Sequence, residues 1–156
     1  VWNIGGNIWN NPNTPFSLLD QYNKERGTIT YQNSRPTEWT GKVGLIYASD
    51  YGYASTLAEC HENLIAGVTY DKESHKWDFS NGKCKTDNWL FPKKFSYWTL
   101  SPYSVLSSTV FFVNGDGVVI GDDAYNSAVV LPAVFLKSDI LIAGGNGEKN
   151  SPYHLG

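Results

Sequence analysis

The chain has 156 residues, of which 41% are hydrophobic and 17% charged, with a formal net charge of −3. That apolar content and small net charge exclude a disordered chain, and 12 Lys and Arg against 15 Asp and Glu leave no cationic surplus for binding nucleic acid by bulk charge. No apolar run reaches the length of about 18 residues that a membrane span needs, and the size fits a single domain, 1–156, around one core.

Polarity rests on amides and hydroxyls more than on charge: Gly, Asn, Ser and Tyr together make up about a third of the chain. Two needs are met by this mixture. Turn-rich β domains use Asn, Gly and Ser as turn formers, and displayed recognition loops use Tyr for contact area with Ser, Asn and Gly for adaptability. The chain begins at Val1 and contains no Met, so a processed product or a piece of something longer is expected.

In chain order, Trp2, Ile4 and Ile8 alternate around Gly5-Gly6 and predict a strand with a bulge over Val1–Asn11. Thr14-Pro15 reads as an N-cap with proline at the first helical position, opening a short helix that carries Phe16, Leu18, Leu19 and Tyr22 to about Lys24. Short strands are expected over Thr28–Gln32 and, with Val43, Leu45 and Tyr47 alternating, over Lys42–Ser49; a loop over Pro36–Gly41 separates them. Ala54–Leu64 reads as helical, and Asp71–Cys84 as a long polar excursion packed against the Trp89 region.

The last third patterns most clearly. Tyr97–Leu100 is a strand, and Thr109–Val113 and Gly117–Ile120 flank Asn114-Gly115-Asp116 as a hairpin whose Asn-Gly turn calls for positive φ. Ala128–Leu136 is a further strand, at an edge or bulged because of Pro132. Asp139–Ala143 is the last apolar run, expected to lie near the N-terminal strand. The class is α+β: a mixed, mostly antiparallel sheet with one or two short helices and long loops. Trp9, Trp39, Trp89 and Trp98 sit beside apolar neighbours and are expected in the core.

Cys60 and Cys84 form the only even set of cysteines, which fits one disulfide in an oxidising compartment; two buried thiols remain an alternative. Zinc would need further ligands at recognisable spacing, and His61 and His75 do not supply them. Asp116, Asp122 and Asp123 gather around the hairpin, but the twelve-residue calcium-loop pattern with its terminal Glu is missing, and a solvated turn explains them. No Gly-x-Ser-x-Gly elbow is present, and neither Gly5-Gly6 nor Gly144–Gly147 opens a helix with the Lys-Ser/Thr of a phosphate loop. The reading therefore assigns no catalytic residue, metal or cofactor. Tyr103 and Tyr125 sit among Ser, Asn and Asp and are expected to be exposed.

Several segments carry a family pattern: Trp98-Thr99-Leu100-Ser101-Pro102, Val110-Phe111-Phe112-Val113, Asp116-Gly117-Val118-Val119, and Pro132-Ala133-Val134-Phe135-Leu136. With them go Ser49-Asp50-Tyr51-Gly52-Tyr53-Ala54, Trp2-Asn3-Ile4-Gly5-Gly6, and the ending Gly144–Gly147 with Ser151-Pro152-Tyr153. Together they resemble the C-type-lectin-like fold shared by formylglycine-generating enzymes and by the variable proteins of diversity-generating retroelements, including phage tropism determinants. Versions with the SDYGYA stretch often follow a type IV prepilin-like helix in Gram-positive bacteria.

The resemblance implies an exported, non-enzymatic recognition or adhesion domain of a bacterial pilin-like or surface protein, located at the cell surface and facing a protein or glycan ligand. Its contact residues would be Tyr103, Ser107, Asp122, Tyr125 and Asn126. The alternative is a structural subunit that packs against neighbours in a pilus-like filament or surface layer. The family's Arg before the closing proline is Leu131 here, and the copper-binding cysteines of the formylglycine enzymes have no counterpart.

Overall fold

In the computed structural model, residues 1–4, 18–27, 38–62, 69–71, 76–78, 87–91, 94–103, 108–117, 119–148 and 150–156 are described. The elements are β1 (Trp2–Asn3), α1 (Leu18–Glu25), β2 (Glu38–Trp39), β3 (Gly44–Leu45), α2 (Ala48–Tyr53), α3 (Glu59–Glu62), β4 (Thr69–Asp71) and β5 (Lys76–Asp78), then β6 (Tyr97–Pro102), β7 (Thr109–Val113), β8 (Val119–Asp123), β9 (Val129–Val130), β10 (Pro132–Ala133), β11 (Ile142–Gly144) and β12 (His154–Leu155). The protein is mixed α+β with mostly antiparallel sheets. A six-stranded sheet runs β4-β5-β8-β7-β6-β9, in which, among the described residues, β6 and β9 are the one parallel pair. Three two-stranded sheets pair β1 with β2, β3 with β10, and β11 with β12. Among the described residues no helix is long and apolar enough to cross a membrane.

Period-two alternation builds the centre of the sheet. In β6, Tyr97, Thr99 and Ser101 are buried while Trp98, Leu100 and Pro102 are half-buried; β7 buries Thr109, Phe111 and Val113. These inward residues meet Leu18, Ala48, Tyr51, Tyr103 and Val119 in one core. Helix α1 turns Leu18, Gln21 and Glu25 inward, the i, i+3, i+7 stripe of a helix lying on a core. It fits closely against α2 because Gly52 leaves room for Leu18: a Cβ there would come within 2.4 Å of the Leu18 side chain.

A buried polar knot ties α1, α2 and β6 together. Glu25, fully buried, accepts hydrogen bonds from Gln21 Nε2 and Ser101 Oγ (2.6 Å each) and from the Ser49 N–H (3.2 Å). Ser101 Oγ in turn accepts from the Ala48 N–H at 2.9 Å. The Arg26 guanidinium lies 3.8 Å from Glu25, pairs with Asp50, and sits over the rings of Tyr22 and Tyr47 at 4.0 and 4.4 Å. Asp50 also accepts from the Tyr47 N–H at 2.8 Å, which closes the start of α2.

Several expectations are corrected. Lys42–Ser49 is not one strand: only Gly44–Leu45 pairs, and Ala48 and Ser49 already belong to α2 because Asp50 caps the chain at Tyr47. The helix expected over Ala54–Leu64 is replaced by α2 before it and the four residues of α3. Pro36–Gly41 contains a strand, since Trp39 pairs with Trp2. The polar excursion contributes β4 and β5, which extend the main sheet through Trp77↔Val119. Among the described residues the two chain ends do not pair with each other: β1 meets β2, and β11 meets β12.

The hairpin is present, but its strained position is Gly117 (φ 80°) and not Gly115. The Gly117 N–H donates to Asn114 O (2.9 Å), and the Asp116 N–H to Asn114 Oδ1 (2.9 Å), so the turn closes one step later than an Asn-Gly pair implies. Trp39 and Trp89 are exposed rather than in the core, Trp98 is half-buried, and Trp2 is buried. The Trp89 ring is 75% exposed, and most of the polar excursion expected against that region lies outside the described residues. Trp9, Thr14-Pro15 and Thr28–Gln32 lie outside the described residues. Cys60 is buried and no described cysteine is a free thiol; Cys84 lies outside the described residues.

Candidate functional site

The far end of the β7–β8 hairpin gathers most of the residues singled out for recognition. Thr109 pairs with Asp123 and Val110 with Asp122, which brings Ser108 beside the turn Asp123–Asn126. The Ala124 N–H donates to Ser108 O, and the Asn126 N–H closes the turn on Asp123 O, both at 2.9 Å.

Side chains then fix the turn from above. Asp123 accepts at one oxygen from Ser108 Oγ (3.1 Å) and Thr109 Oγ1 (3.3 Å), and at the other from the Tyr125 hydroxyl (2.8 Å). Asp122 Oδ1 accepts from Asn126 Nδ2 and from the Asp123 N–H, both at 2.9 Å. The Tyr125 hydroxyl, followed by the Ser108 hydroxyl, holds the Asp123 carboxyl below the usual carboxylate range. The same bond to Asp123 and the negative charge beside it raise the Tyr125 phenol. Tyr125 is thus 80% exposed while its hydroxyl is anchored. An aromatic held this way offers its ring without the rotamer freedom that binding would otherwise have to remove.

Of the five expected contact residues, Asp122, Tyr125 and Asn126 come together here. Tyr103 does not: it is buried, packs edge-on against Phe111 at 5.3 Å between centroids, and lies under Gly121, where a Cβ would come within 3.0 Å of its ring. Its polar neighbours in sequence misled, whereas the β6 alternation Tyr97, Thr99, Ser101 continues inward to residue 103. Ser107 lies outside the described residues. Ser108 and Thr109, whose hydroxyls fix Asp123, are not among the five.

Asp116 is at the opposite end of the hairpin from Asp122 and Asp123, so the three acids expected around the turn are not one cluster. Among the described residues no group of three or more His, Cys, Asp or Glu side chains gathers as metal ligands do. Comparison with models of known families, with curated proteins and with solved structures finds no match. The class stands on the fold itself: a mixed α+β domain with a six-stranded, largely antiparallel sheet and an exposed tyrosine in the turn after β8.

Proposed function

We propose that this chain is a non-enzymatic recognition or adhesion domain of C-type-lectin-like type, carried at the bacterial cell surface by a pilin-like or surface protein. The observation that supports it best is Tyr125: an exposed ring on an anchored hydroxyl, flanked by the Asn126 amide and the Asp122 carboxylate. Rigid aromatics with adaptable polar neighbours carry most of the energy of recognition surfaces. The sequence pattern from Trp98 to Leu136 adds the lectin-like frame, and the turn after β8 that bears Tyr125 falls inside it.

The test is binding of the purified chain to immobilised glycans and to extracts of bacterial cell-surface proteins, with Tyr125→Ala and Asn126→Ala beside the wild type. Captured ligand should fall at least tenfold for Tyr125→Ala, the loss expected of an aromatic anchor worth about 2 kcal/mol, while the melting temperature holds. Equal capture by the variant, or none by the wild type, would overturn the reading.

A further inference from the structure

An asparagine followed by glycine reacts readily with its own backbone, because glycine has no Cβ to shield the amide nitrogen next to the side chain. The chain has three such pairs: Asn81-Gly82, Asn114-Gly115 and Asn146-Gly147. The first lies outside the described residues. The other two sit in turns that match in one respect and differ in another.

In both turns the asparagine side chain is folded back over its own peptide. The Asp116 N–H donates to Asn114 Oδ1 at 2.9 Å, and the Glu148 N–H to Asn146 Oδ1 at 3.1 Å. Each bond closes a ring that includes the glycine nitrogen, so the side-chain carbonyl is kept near that nitrogen. Each also sets a donor where charge would develop on the oxygen if the carbonyl carbon were attacked. The glycine nitrogens themselves differ. The Gly147 N–H is spent on Ser151 O at 3.1 Å, whereas the Gly115 N–H has no acceptor among the described residues. Gly115 is also uncrowded, with nothing closer than 3.5 Å to the position of a Cβ. Asn114 and Gly115 are half-buried and Asp116 is exposed, so water reaches the turn.

We propose that Asn114 is a self-modification site: in the folded chain the Gly115 nitrogen displaces its amide, and the residue ends as aspartate or isoaspartate. Hydroxide takes the Gly115 amide proton, the nitrogen bonds to Asn114 Cγ, and the carbonyl electron pair moves onto Oδ1 beside the Asp116 N–H. The pair returns, the Cγ–Nδ2 bond breaks, and ammonia leaves with a proton from water, which restores the hydroxide. A five-membered succinimide remains, and water adds to either of its carbonyls to reopen it. The sum is one amide and one water giving one carboxylate and one ammonium, with nothing oxidised or reduced.

The two products differ in what they do to the turn. Opening at the side-chain carbonyl gives aspartate, a second charge close to Asp116. Opening at the main-chain carbonyl gives isoaspartate, in which the chain runs through Cγ. The Asn114 O that accepts the Gly117 N–H at 2.9 Å then becomes a carboxylate oxygen off the backbone. Gly117 O accepts from the buried Tyr51 hydroxyl at 3.2 Å, so this change reaches α2 and the core. The site lies at the opposite end of β7–β8 from Tyr125 and stands apart from the recognition reading.

Peptide mapping by mass spectrometry of the full chain, held in mildly alkaline buffer, tests it. Trypsin leaves Asn114 in peptide 95–137 and Asn146 in 138–149, and fragmentation separates Asn114 from Asn126 in the first. In the folded chain Asn114 should convert about fivefold faster than Asn146, the rate factor for a glycine N–H with no hydrogen bond to break. In urea, where neither turn exists, the two should convert at closely similar rates. Gly115→Ala should slow conversion at residue 114 and leave Asn146 as in the wild type. The folded and unfolded wild-type rates decide the matter even where that variant does not fold. Equal rates in the folded chain, a faster Asn146, or a preference for Asn114 that persists undiminished in urea would overturn the proposal.

Discussion

Removing the Glu25 carboxyl should be among the most damaging single changes to this fold. In Glu25→Ala the Ser49 N–H and the Ser101 hydroxyl lose their acceptor in a site sealed from water, and Gln21 Nε2 loses its own. A buried donor left unsatisfied costs about 1–3 kcal/mol, and the emptied side-chain volume adds to that. Water entering the space returns part of the loss, so the net expectation is about 3–5 kcal/mol. For a chain of this size each kcal/mol lowers the melting temperature by about 2–4 °C, which places the variant on the order of 10 °C or more below wild type. Glu25→Gln keeps the volume and one acceptor oxygen and should cost about half as much. Thermal unfolding followed by circular dichroism decides it. A fall of less than about 3 °C for Glu25→Ala would show that the three elements do not depend on this knot.

Two further outcomes follow from the same geometry. Gly117→Ala should destabilise by about 2 kcal/mol or more, since φ is 80° and the new Cβ would meet the Tyr51 hydroxyl at 2.7 Å and Phe91 at 2.9 Å, whereas Gly115→Ala finds only ordinary contacts at 3.5 Å and should be nearly neutral by urea titration. Cys60 and Cys84 should be joined, so alkylation without reductant should add no label by intact mass; reduction should then cost about 3 kcal/mol for a closed loop of roughly 25 residues, and two labelled thiols would refute the bond.

What was legible in the sequence follows one rule: strands whose inward face is apolar showed themselves. Thr109–Val113 buries Phe111 and Val113 and was placed to the residue. Tyr97–Leu100 was found but cut short, because its inward positions go on as Thr99 and Ser101, whose burial is made tolerable by Phe111 O and by Glu25. Hydrophobic periodicity cannot see a polar inward face. That blindness hid the Glu25 knot and put Tyr103 on the surface. The start of α2, Ala48 and Ser49, was misread as strand because Val43, Leu45 and Tyr47 alternate up to the point where Asp50, three residues after Tyr47, turns the chain; that acidic spacing was the available signal. The C-terminal apolar runs were recognised as strands, but the partner of an apolar strand is not written in its own alternation.

The knot should also leave its mark on the acid side of the stability profile. Burial is the largest influence on Glu25 and raises its carboxyl above the ordinary value; hydrogen bonds from Gln21, Ser101 and Ser49 act in the opposite direction without cancelling it. The charged groups facing it are Arg26, at 3.8 Å, and behind Arg26 the Asp50 carboxylate, which shares that guanidinium. A carboxyl bound more tightly to its proton in the folded chain than in the unfolded one stabilises the fold while both forms are protonated. That contribution is lost as pH rises from the unfolded value, about 4.3 for Glu, through the higher folded value. Glu25→Gln cannot titrate and serves as the reference. The margin of wild type over Glu25→Gln should therefore be widest below about pH 4 and narrow as pH rises, reaching a constant once the folded carboxyl has ionised. Urea titrations of both proteins across that range measure it directly. A margin that widened with pH would mean that Ser49, Ser101, Gln21 and Arg26 outweigh burial and hold Glu25 charged throughout.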